Sequence, residues 1–411
     1  MEPQLSEAQM KIVDRVMEWL ANPDEQYLVI GGYAGTGKTT IAKYLEAKLG
    51  RVTFAAYTGK AVNVLRGKGC KNVQTIHSLI YQPIDLDKAP LKALMAEIEE
   101  ARESGAPQAT IQRLQKEYLV LEEKLHQPAF EMKLDIECGG FIIVDEYSML
   151  DEDIVRDLLK NYKKILFMGD PFQLPPVNGT CPLEPAMVLE EIHRQAGDSG
   201  IIKYATKVRN MEYFPFCETP DFAYMPWDKV PDAEAAAYDV IICGRNKTRH
   251  MINKWKRAYL GITAPLPIAG EQMMCLRNDK DKKIFNGMTL TVEHDAHKLR
   301  DDDIKYLVKF KELPDEISVW DGDIKGEKFC WADHRVRGLQ RFDFCHAITA
   351  HKSQGSEYPA VVVLLHNSHF VMLRRNLLYT AVTRAKRFCC VLGSGWAVTK
   401  AGMSARRRRV R

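Results

Sequence analysis

The chain alternates between two spacings of apolar residues, one typical of strands and one typical of helices. Short apolar runs typical of buried parallel strands lie at 27–30, 51–57, 141–144 and 165–168. After the first run, apolar residues recur every three or four positions over 41–49, as on one face of a helix. A further helix is predicted to begin after Ser6, whose capping-box partner is Gln9. The pattern predicts an α/β fold built on a parallel sheet.

A second group of strand patterns occupies the C-terminal half of the chain. Apolar runs at 239–243, 360–365 and 388–392 alternate with helical patterns, one of them from about 249 to 259. We therefore expect a second parallel sheet of the same kind.

Two stretches interrupt the α/β pattern. Within 83–130, apolar residues recur at helical spacing on both sides of a Gly-Ala-Pro break, which predicts a helical-hairpin insertion in the first sheet domain. This hairpin either contacts a partner or projects beside the path of the substrate. Within 271–345, short strand patterns alternate with turns rich in Asp, Gly and Lys, which predicts a small antiparallel, barrel-like insertion.

Composition narrows the class of protein. The 411 residues are 46% hydrophobic, enough for the cores of roughly two to four domains. No run approaches the ~18 apolar residues of a membrane span, the N-terminus lacks the order of a signal peptide, and the scattered cysteines fit a reducing compartment. We therefore expect a cytoplasmic protein without a membrane partner.

The charge of the chain is concentrated at one end. The net charge is +4 and five arginines lie within 406–411, so the rest of the chain carries a net charge of −1. Nucleic acid would then be held by locally placed cations and not by an overall positive field. The basic tail at 401–411 either adds salt-sensitive affinity for phosphate or is a solvated end.

Residues 32–40 read Gly-Tyr-Ala-Gly-Thr-Gly-Lys-Thr-Thr and lie between a predicted strand and a predicted helix. Glycines at this spacing, followed by Lys-Thr, form the phosphate-binding P-loop, whose backbone N–H groups face phosphate oxygens. Lys38 is expected to reach the β- and γ-phosphates, and Thr39 to ligate Mg²⁺. The residues predicted to hold the nucleotide here are Gly35, Thr36, Gly37, Lys38, Thr39 and Thr40.

Acidic and amide side chains follow two later strands. The run at 141–144 ends in Asp145 and Glu146, and Gln173 follows the run at 165–168. After a P-loop, such a carboxylate pair is specific: Asp145 holds Mg²⁺ through water, and Glu146 polarises the attacking water. Gln173, beyond the end of its strand, is placed to sense the γ-phosphate. Gln9 either only caps its helix or also reads the edge of a nucleobase.

Two arginines of the second half are candidates to meet the γ-phosphate. Arg194 lies at a helix-like boundary and Arg384 follows a helical pattern, and each can touch the phosphate while the cleft between the sheets is closed. Hydrolysis removes their target and lets the cleft open. Polar clusters at the sheet edges are then placed to grip and release a polymer alternately; they comprise Thr58, Lys60, His77, His351 and Lys352.

Eight blocks of the sequence resemble the motifs of a superfamily-one helicase of the RecD-like and Dda-like branch. They lie, in the order of the family, at 32–40, 57–61, 75–79, 145–148, 169–173, 192–194, 349–357 and 379–384. The most specific are Thr-Ala-His-Lys-Ser-Gln-Gly-Ser-Glu at 349–357 and Tyr-Thr-Ala-Val-Thr-Arg at 379–384. One departure is the insertion at 83–130, which reads as helices where the branch has a short β pin that separates strands.

The resemblance implies a domain arrangement. It implies two RecA-like domains with ATP and Mg²⁺ between them, a strand-separating position for the hairpin, and an SH3-like insertion in the second domain. The implied bounds are 1–82 with 131–180 for domain one, 83–130 for the hairpin, 181–282 with 346–400 for domain two, 283–345 for the SH3-like unit and 401–411 for the tail.

The resemblance also implies roles for individual residues. Gln9 becomes the reader of adenine, Gly355 and Glu357 lie beside the nucleotide with Glu357 near the ribose, and Arg194 and Arg384 meet the γ-phosphate. The residues implied to lie on the DNA path are Thr58, Lys60, His77, Asn246, Thr349, His351 and Lys352.

The implied activity is that of an ATP-dependent DNA helicase that moves 5′-to-3′ on single-stranded DNA as a monomer. The implied partners are single-stranded DNA and forked duplex, with a single-strand-binding protein or replisome component as a further candidate. Two alternatives use the same motor motifs: a translocase that strips proteins from single strands with little unwinding, and an RNA-directed motor. A nucleotide-gated scaffold without turnover is disfavoured, because a binder needs neither Glu146 nor arginine fingers.

Overall fold

The computed structural model describes most of the chain. The described residues are 5–84, 86–126, 129–133, 141–177, 179–191, 199–227, 237–279, 282–327, 336 and 338–403. Arg194 and residues 404–411 of the basic tail lie outside this set, so their roles stay predictions. In the part of the chain that is described, no helix is long and apolar enough to cross a bilayer.

The first half of the chain forms a parallel sheet. Its strands are β1 (Tyr27–Gly32), β2 (Val52–Ala56), β3 (Val73–Thr75), β6 (Phe141–Asp145), β7 (Lys164–Gly169) and β8 (Met187–Leu189). They run parallel in the order β3-β2-β6-β7-β1-β8. The helices of this half are Glu7–Ala21, Lys38–Leu49, Gly59–Gly67, Ile76–Ile80 and Glu152–Asn161, with a 3₁₀ turn at Tyr147–Met149.

Both faces of the first sheet are buried, which explains its nearly continuous apolar strands. Trp19 and Ile41 belong to the core on one face, and Tyr147 and Phe167 to the core on the other. Because every strand runs in the same direction, the carboxyl ends of the strands share one edge of the sheet. The P-loop and the two acidic residues after the apolar run of β6 therefore lie at one edge.

The second half forms a sheet of similar design. Its strands are β9 (Cys217–Glu218), β10 (Phe222–Met225), β11 (Val240–Cys243), β17 (Ala347–Thr349), β18 (Tyr358–Leu365) and β19 (Ala385–Gly393). Their order is β17-β11-β18-β19-β10-β9. Among the described strands of this sheet, β9 alone is antiparallel to its neighbour. The helices of this half are Gly200–Arg209, Asn246–Tyr259, Ala350–Ser353, Arg375–Val382 and Gly395–Met403, with a 3₁₀ turn at Asn367–His369.

Two helices stand on a short two-stranded stem in the first domain. Strand β4 (Tyr81–Ile84) pairs antiparallel with β5 (Ala129–Met132), and helices Ala89–Glu103 and Gln108–His126 lie between them in the chain. Buried side chains on both helices mark the seam where they pack; these are Ile98, Ile111 and Leu114. The helical spacing read from the sequence thus corresponds to two helices.

A small antiparallel unit occupies most of 271–345. Strands β12 (Gln272–Cys275), β13 (Thr289–Thr291) and β16 (Phe342–Phe344) form one sheet, and β14 (Lys305–Val308) pairs with β15 (Ile317–Trp320). A short helix, Gly322–Lys325, follows β15. Both sheets share one apolar core. Strand β12 pairs within this unit, so the unit begins before the predicted boundary at 283.

Candidate functional site

The P-loop places a lysine ammonium at its centre. Gly35 and Gly37 have φ of +84° and +83°, which a residue with a Cβ adopts only with strain. Lys38 opens the helix that follows, and its Nζ donates to the carbonyls of Gly32 at 2.7 Å and Tyr33 at 3.0 Å. The loop therefore curls around the cation that a triphosphate requires.

Two carboxylates at the end of β6 face this loop. Asp145 Oδ1 accepts from the Glu146 N–H at 3.0 Å, and Glu146 has a left-handed backbone with φ of +58°. Burial raises the pKa of Asp145, while the positive charge of Lys38 opposes that rise. Burial, together with the charge of Asp145, raises the pKa of Glu146 to about 6, and Arg384 opposes this rise. Glu146 is thus a carboxylate tuned toward neutral pH, as a general base requires.

Gln173 bridges the two sheet domains at the carboxylates. Its side-chain amide lies 3.2 Å from Glu146 Oε2 on one side and 3.2 Å from Arg384 Nη2 on the other. With its nitrogen toward the carboxylate and its oxygen toward the guanidinium, the amide donates to Glu146 and accepts from Arg384. A carboxylate on the first sheet is thereby connected to a cation on the second through one buried side chain.

Three hydrogen bonds hold the Arg384 guanidinium where it contacts Gln173. Its Nε donates to the Thr380 carbonyl at 3.0 Å, Nη1 to the Ser356 carbonyl at 3.3 Å and Nη2 to Thr383 Oγ1 at 3.2 Å. The guanidinium is buried but lines the same cleft as Lys38. The structure therefore brings together the two cations that the sequence placed on opposite domains.

The loop that carries Gln173 is gripped by the Arg375–Val382 helix of the second domain. Tyr379 Oη donates to Asp170 Oδ2 at 2.7 Å, and Asn376 Nδ2 donates to the Gln173 carbonyl at 2.8 Å. The Leu174 N–H donates to Thr380 Oγ1 at 2.9 Å. This contact between the domains lies directly beside the catalytic candidates, so relative motion of the domains would be transmitted to them.

The whole arrangement encloses a cleft of about 750 Å³. Of the predicted residues, those that line it are Gly35, Gly37, Lys38, Thr39, Thr40, Asp145, Glu146, Gln173, Gly355, Glu357 and Arg384. Three lysines that the sequence reasoning missed also line it: Lys43, Lys68 and Lys386. Lys43 lies one helical turn after Thr39, so helical periodicity was a signal for it. Lys68, whose Nζ donates to Thr39 Oγ1 at 3.4 Å, gave no such signal.

Gln9 lies behind the P-loop. Its Nε2 donates to the Thr36 carbonyl at 3.1 Å, and its Oε1 accepts from the Ser6 N–H at 3.0 Å as part of a capping box. Both ends of the amide are thus engaged by the chain, and Gln9 does not appear among the residues that line the cleft. Thr36 is also buried, with its hydroxyl donating to the Tyr33 carbonyl at 2.9 Å.

The cleft offers the ligands that Mg²⁺ prefers. Thr39 and Asp145 line it with one hydroxyl and one carboxylate, both hard oxygen donors. Among the described residues, no cluster of three or more His, Cys, Asp or Glu could hold a metal alone. This donor set fits Mg²⁺, which takes one or two protein ligands and completes its shell with phosphate oxygens and water.

A second cleft, of about 600 Å³, separates the Asn246–Tyr259 helix from the antiparallel unit. Two predicted DNA-binding residues, Asn246 and Lys352, line it. Six cations face it, against the carboxylates of Asp323 and Glu327; the cations are Lys247, Arg249, Lys254, Lys325, Arg341 and Lys352. We call this the cation-lined cleft.

Buried carboxylates fix the arginines of the cation-lined cleft. Arg249 Nη2 lies 2.7 Å from Asp343, and Arg341 Nη2 lies 2.6 Å from Asp323. Burial and the charge of the adjacent Arg249 together lower the pKa of Lys352 to about 8, against the pull of these carboxylates. The arginines are thus held in place by ion pairs, while lysines on the helix supply excess positive charge to an otherwise near-neutral body.

The other predicted DNA-binding residues lie apart from this cleft. Thr58 and Thr349 cap the starts of short helices, accepting from Ala61 N at 3.2 Å and Lys352 N at 3.4 Å. His77 packs between the rings of Tyr57 and Tyr81, with centroids 5.6 Å from each.

Burial lowers the pKa of both His77 and His351, so each is neutral at pH 7. A neutral imidazole offers a hydrogen bond but no charge to a phosphate. Lys60 lies where the Gly59–Gly67 helix meets the Tyr358 ring and the turn at Gly287.

Two families match the sequence. The family described as "AAA domain" matches residues 4–212, half of the chain, and the family described as "UvrD-like helicase C-terminal domain" matches residues 344–392. The first match spans the P-loop and Gln173, and the second spans Arg384. Each half of the cleft therefore has its own family match.

Curated relatives align with nearly the whole chain. The ATP-dependent RecD2 DNA helicase of Deinococcus radiodurans is 25% identical, over 97% of this chain and 50% of that protein. The RecBCD enzyme subunit RecD of Mycolicibacterium smegmatis is 25% identical, over 89% of this chain and 68% of that protein. The chain thus spans about half the length of the RecD2 relative.

Solved Pif1 helicases have the same fold. A structure of two Pif1 helicases at forked double-stranded DNA matches with a TM-score of 0.55 and 20% identity, over 98% of this chain and 95% of that chain. Pif1 from Bacteroides in complex with ADP-AlF3 and single-stranded DNA matches with a TM-score of 0.53 and 20% identity, over the same shares. The α/β fold with parallel sheets therefore resembles the RecA-like domains of these helicases.

Proposed function

We propose that this chain, which belongs to the AAA-domain family and resembles helicases of the RecD and Pif1 type, hydrolyses ATP to move along single-stranded DNA and unwind duplex. The 5′-to-3′ direction is inferred from the resemblance to the RecD-like branch. The similarity to the RecD2 DNA helicase, and to Pif1 helicases solved with forked duplex and with single-stranded DNA, supports this substrate.

The observation that carries the proposal is the bridge from Glu146 through Gln173 to Arg384. Glu146 takes a proton from the attacking water, since its pKa of about 6 leaves it ionised yet basic at pH 7. Arg384 lies where negative charge gathers on the transferred phosphoryl group, and Lys38 faces the same charge from the P-loop. When bound, Mg²⁺ would be held by Thr39 and Asp145 and would neutralise charge on the β- and γ-phosphates.

The same bridge links hydrolysis to motion. Loss of the γ-phosphate removes the shared target of Lys38 and Arg384, so the two sheets are no longer drawn together. The loop that carries Gln173 is hydrogen-bonded to the Arg375–Val382 helix, and opening therefore changes the distance between grips on the two domains. In this proposal the cation-lined cleft holds the DNA backbone on the second domain, and Lys60 contacts it on the first.

The test compares the wild-type chain with Lys38→Ala. We expect ATP hydrolysis that single-stranded DNA stimulates, and unwinding of duplexes with a 5′ overhang, both absent in the variant. Lys48→Ala removes an exposed lysine from the last turn of the same helix, and it serves as the matched control. Equal unwinding from a 3′ overhang would contradict the polarity, and stimulation by RNA but not by DNA would favour the RNA-directed alternative.

A second candidate is a translocase that displaces proteins with little unwinding. The helical build of the hairpin favours it, since two packed helices on a β stem differ from a short β pin. Replacing 89–126 with a short glycine-rich linker separates the two functions. Loss of unwinding with ATP hydrolysis retained identifies the hairpin as the wedge, and unchanged unwinding excludes that role.

A further inference from the structure

Lys60 lies where three parts of the chain meet. It stands in the first turn of the Gly59–Gly67 helix, and its Nζ lies 5.8 Å from the centroid of the Tyr358 ring. On its other side is a turn of the antiparallel unit, because a Cβ at Gly287 would lie 3.6 Å from Lys60 Cδ. The preceding Gly59 packs directly on Phe285, where a Cβ would come within 2.6 Å of that side chain.

The ammonium of Lys60 lies near the ring of Tyr358 and near a second positive charge, that of Arg384. Burial, with the charge of Arg384, lowers the pKa of Lys60 to about 8, and the opposing influence is Cys345 rather than a carboxylate. At pH 7 the side chain is still a cation, and the face of an aromatic ring attracts it at this distance. A phosphate that approached Lys60 would therefore compete with the Tyr358 ring for the same charge.

The backbone around Tyr358 brackets Arg384. The Tyr358 N–H donates to the Arg384 carbonyl at 2.9 Å, and Arg384 Nη1 donates to the Ser356 carbonyl at 3.3 Å. A register shift between Tyr358 and Ala360 separates this segment from the regular pairing of β18 with β19. The segment thus connects Lys60 with Arg384 at an irregular point of the sheet, and such irregularities re-aim side chains beside active sites.

We propose that Tyr358 is a positioning residue that couples a DNA phosphate bound at Lys60 to the placement of Arg384 at the nucleotide. This inference rests on the proposed function. When phosphate draws the ammonium away from the ring, the segment from Ser356 to Tyr358 shifts, and with it the Ser356 carbonyl that holds the guanidinium beside Gln173. DNA binding on one domain thereby adjusts the hydrolytic site through a side chain that touches neither DNA nor ATP.

The experiment measures the ratio of ATP hydrolysis rates with and without saturating oligothymidylate. Tyr358→Leu keeps a smaller apolar side chain but removes the ring face, and we expect the ratio to fall by about 5- to 150-fold. Tyr358→Phe keeps the ring and should retain the wild-type ratio. The affinity for oligothymidylate, measured by fluorescence anisotropy, should change little in either variant, which a merely structural role of Tyr358 would not predict.

The Lys60→Met variant tests the same contact from the other side. It should lower the ratio as well, and adding Tyr358→Leu should lower it no further, because both changes break one link. Wild-type stimulation in Tyr358→Leu overturns the inference, and so does a Tyr358→Phe variant as defective as Tyr358→Leu. If Tyr358→Leu does not fold, full stimulation in Lys60→Met overturns it instead. A wild-type chain that DNA does not stimulate overturns the proposed function itself.

Discussion

The nucleotide cleft and the cation-lined cleft both collect positive charge, but the chain builds them differently. In the nucleotide cleft, charged side chains surround two carboxylates whose pKa values are raised by burial. In the cation-lined cleft, Asp343 and Asp323 form ion pairs with Arg249 and Arg341, and lysines also line the cleft. The first arrangement suits a proton transfer, and the second suits holding a polyanion without chemistry.

The difference also appears along the sequence. The nucleotide cleft is assembled from short contiguous blocks at the ends of parallel strands, because phosphate transfer requires fixed backbone geometry. The cation-lined cleft is assembled from side chains on one helix and on a separate antiparallel unit, since affinity for a phosphate backbone requires only nearby cations. A site for phosphate transfer is therefore easier to recognise in a sequence than a site that only binds a polyanion.

The largest expected effect comes from Arg384→Ala. Removal of this guanidinium should slow ATP hydrolysis by about 10³- to 10⁵-fold with little change in the affinity for single-stranded DNA. Arg387→Ala is the matched control, because it removes an exposed arginine three residues further along. Steady-state hydrolysis at saturating ATP measures the effect, and thermal unfolding checks the fold. A loss smaller than about tenfold would place this arginine away from the transferred phosphate.

Glu146→Gln should be the next most severe. It should slow hydrolysis by about 10²- to 10⁴-fold while ATP and DNA still bind, because the amide keeps the shape of the side chain but cannot accept the proton. Glu152→Gln makes the same change at an exposed position at the start of a helix. Near-normal turnover in Glu146→Gln would give that carboxylate a structural role.

The pH profile of ATP hydrolysis should report on the nucleotide cleft through Glu146. Burial and Asp145 raise the pKa of Glu146 from 4.5 to about 6, so the base is lost as pH falls through about 6 and not through 4.5. Below that point, kcat/KM should fall about tenfold for each pH unit. The residual activity of Glu146→Gln should lack this limb. A wild-type profile that stays flat down to about pH 5 would contradict the assignment.

The smallest expected effect belongs to the cation-lined cleft. Lys247→Met should weaken binding of single-stranded DNA several-fold and reduce the slope of log affinity against log salt by about 0.7. Lys11→Met, an exposed lysine on the first helix, is the control. The KM for ATP should not change. If the slope is the same in both variants, DNA does not occupy this cleft.

Much of this comparison could be predicted from residue patterns. Buried strands such as β1 and β6 have continuous apolar runs, and the P-loop has a spacing that few other structures need. The start of the Asn246–Tyr259 helix was placed three residues late, because its first turn is polar and gives no apolar signal. The strand pattern at 271–345 already included β12, and only the bounds implied by the resemblance, which begin that unit at 283, left this strand out.

The bridge at Gln173 shows what a sequence alone cannot supply. Its three residues were candidates from the sequence, but the 3.2 Å contacts depend on three segments from two domains. The same holds for Arg341, which reaches the cation-lined cleft from just before β16, nearly a hundred residues away from Asn246. Basic side chains on one face of that helix, in contrast, recur at helical spacing and were open to prediction; they are Lys247, His250 and Lys254.

We propose that Glu146 and Arg384 work as one unit across the cleft, joined by Gln173. Single-turnover ATP hydrolysis by the double variant Glu146→Gln with Arg384→Ala tests this most directly against the two single variants. The account predicts that the double variant is about as slow as the slower single variant, because either change alone disables the unit. If the two losses multiply instead, the residues act independently and the account is contradicted.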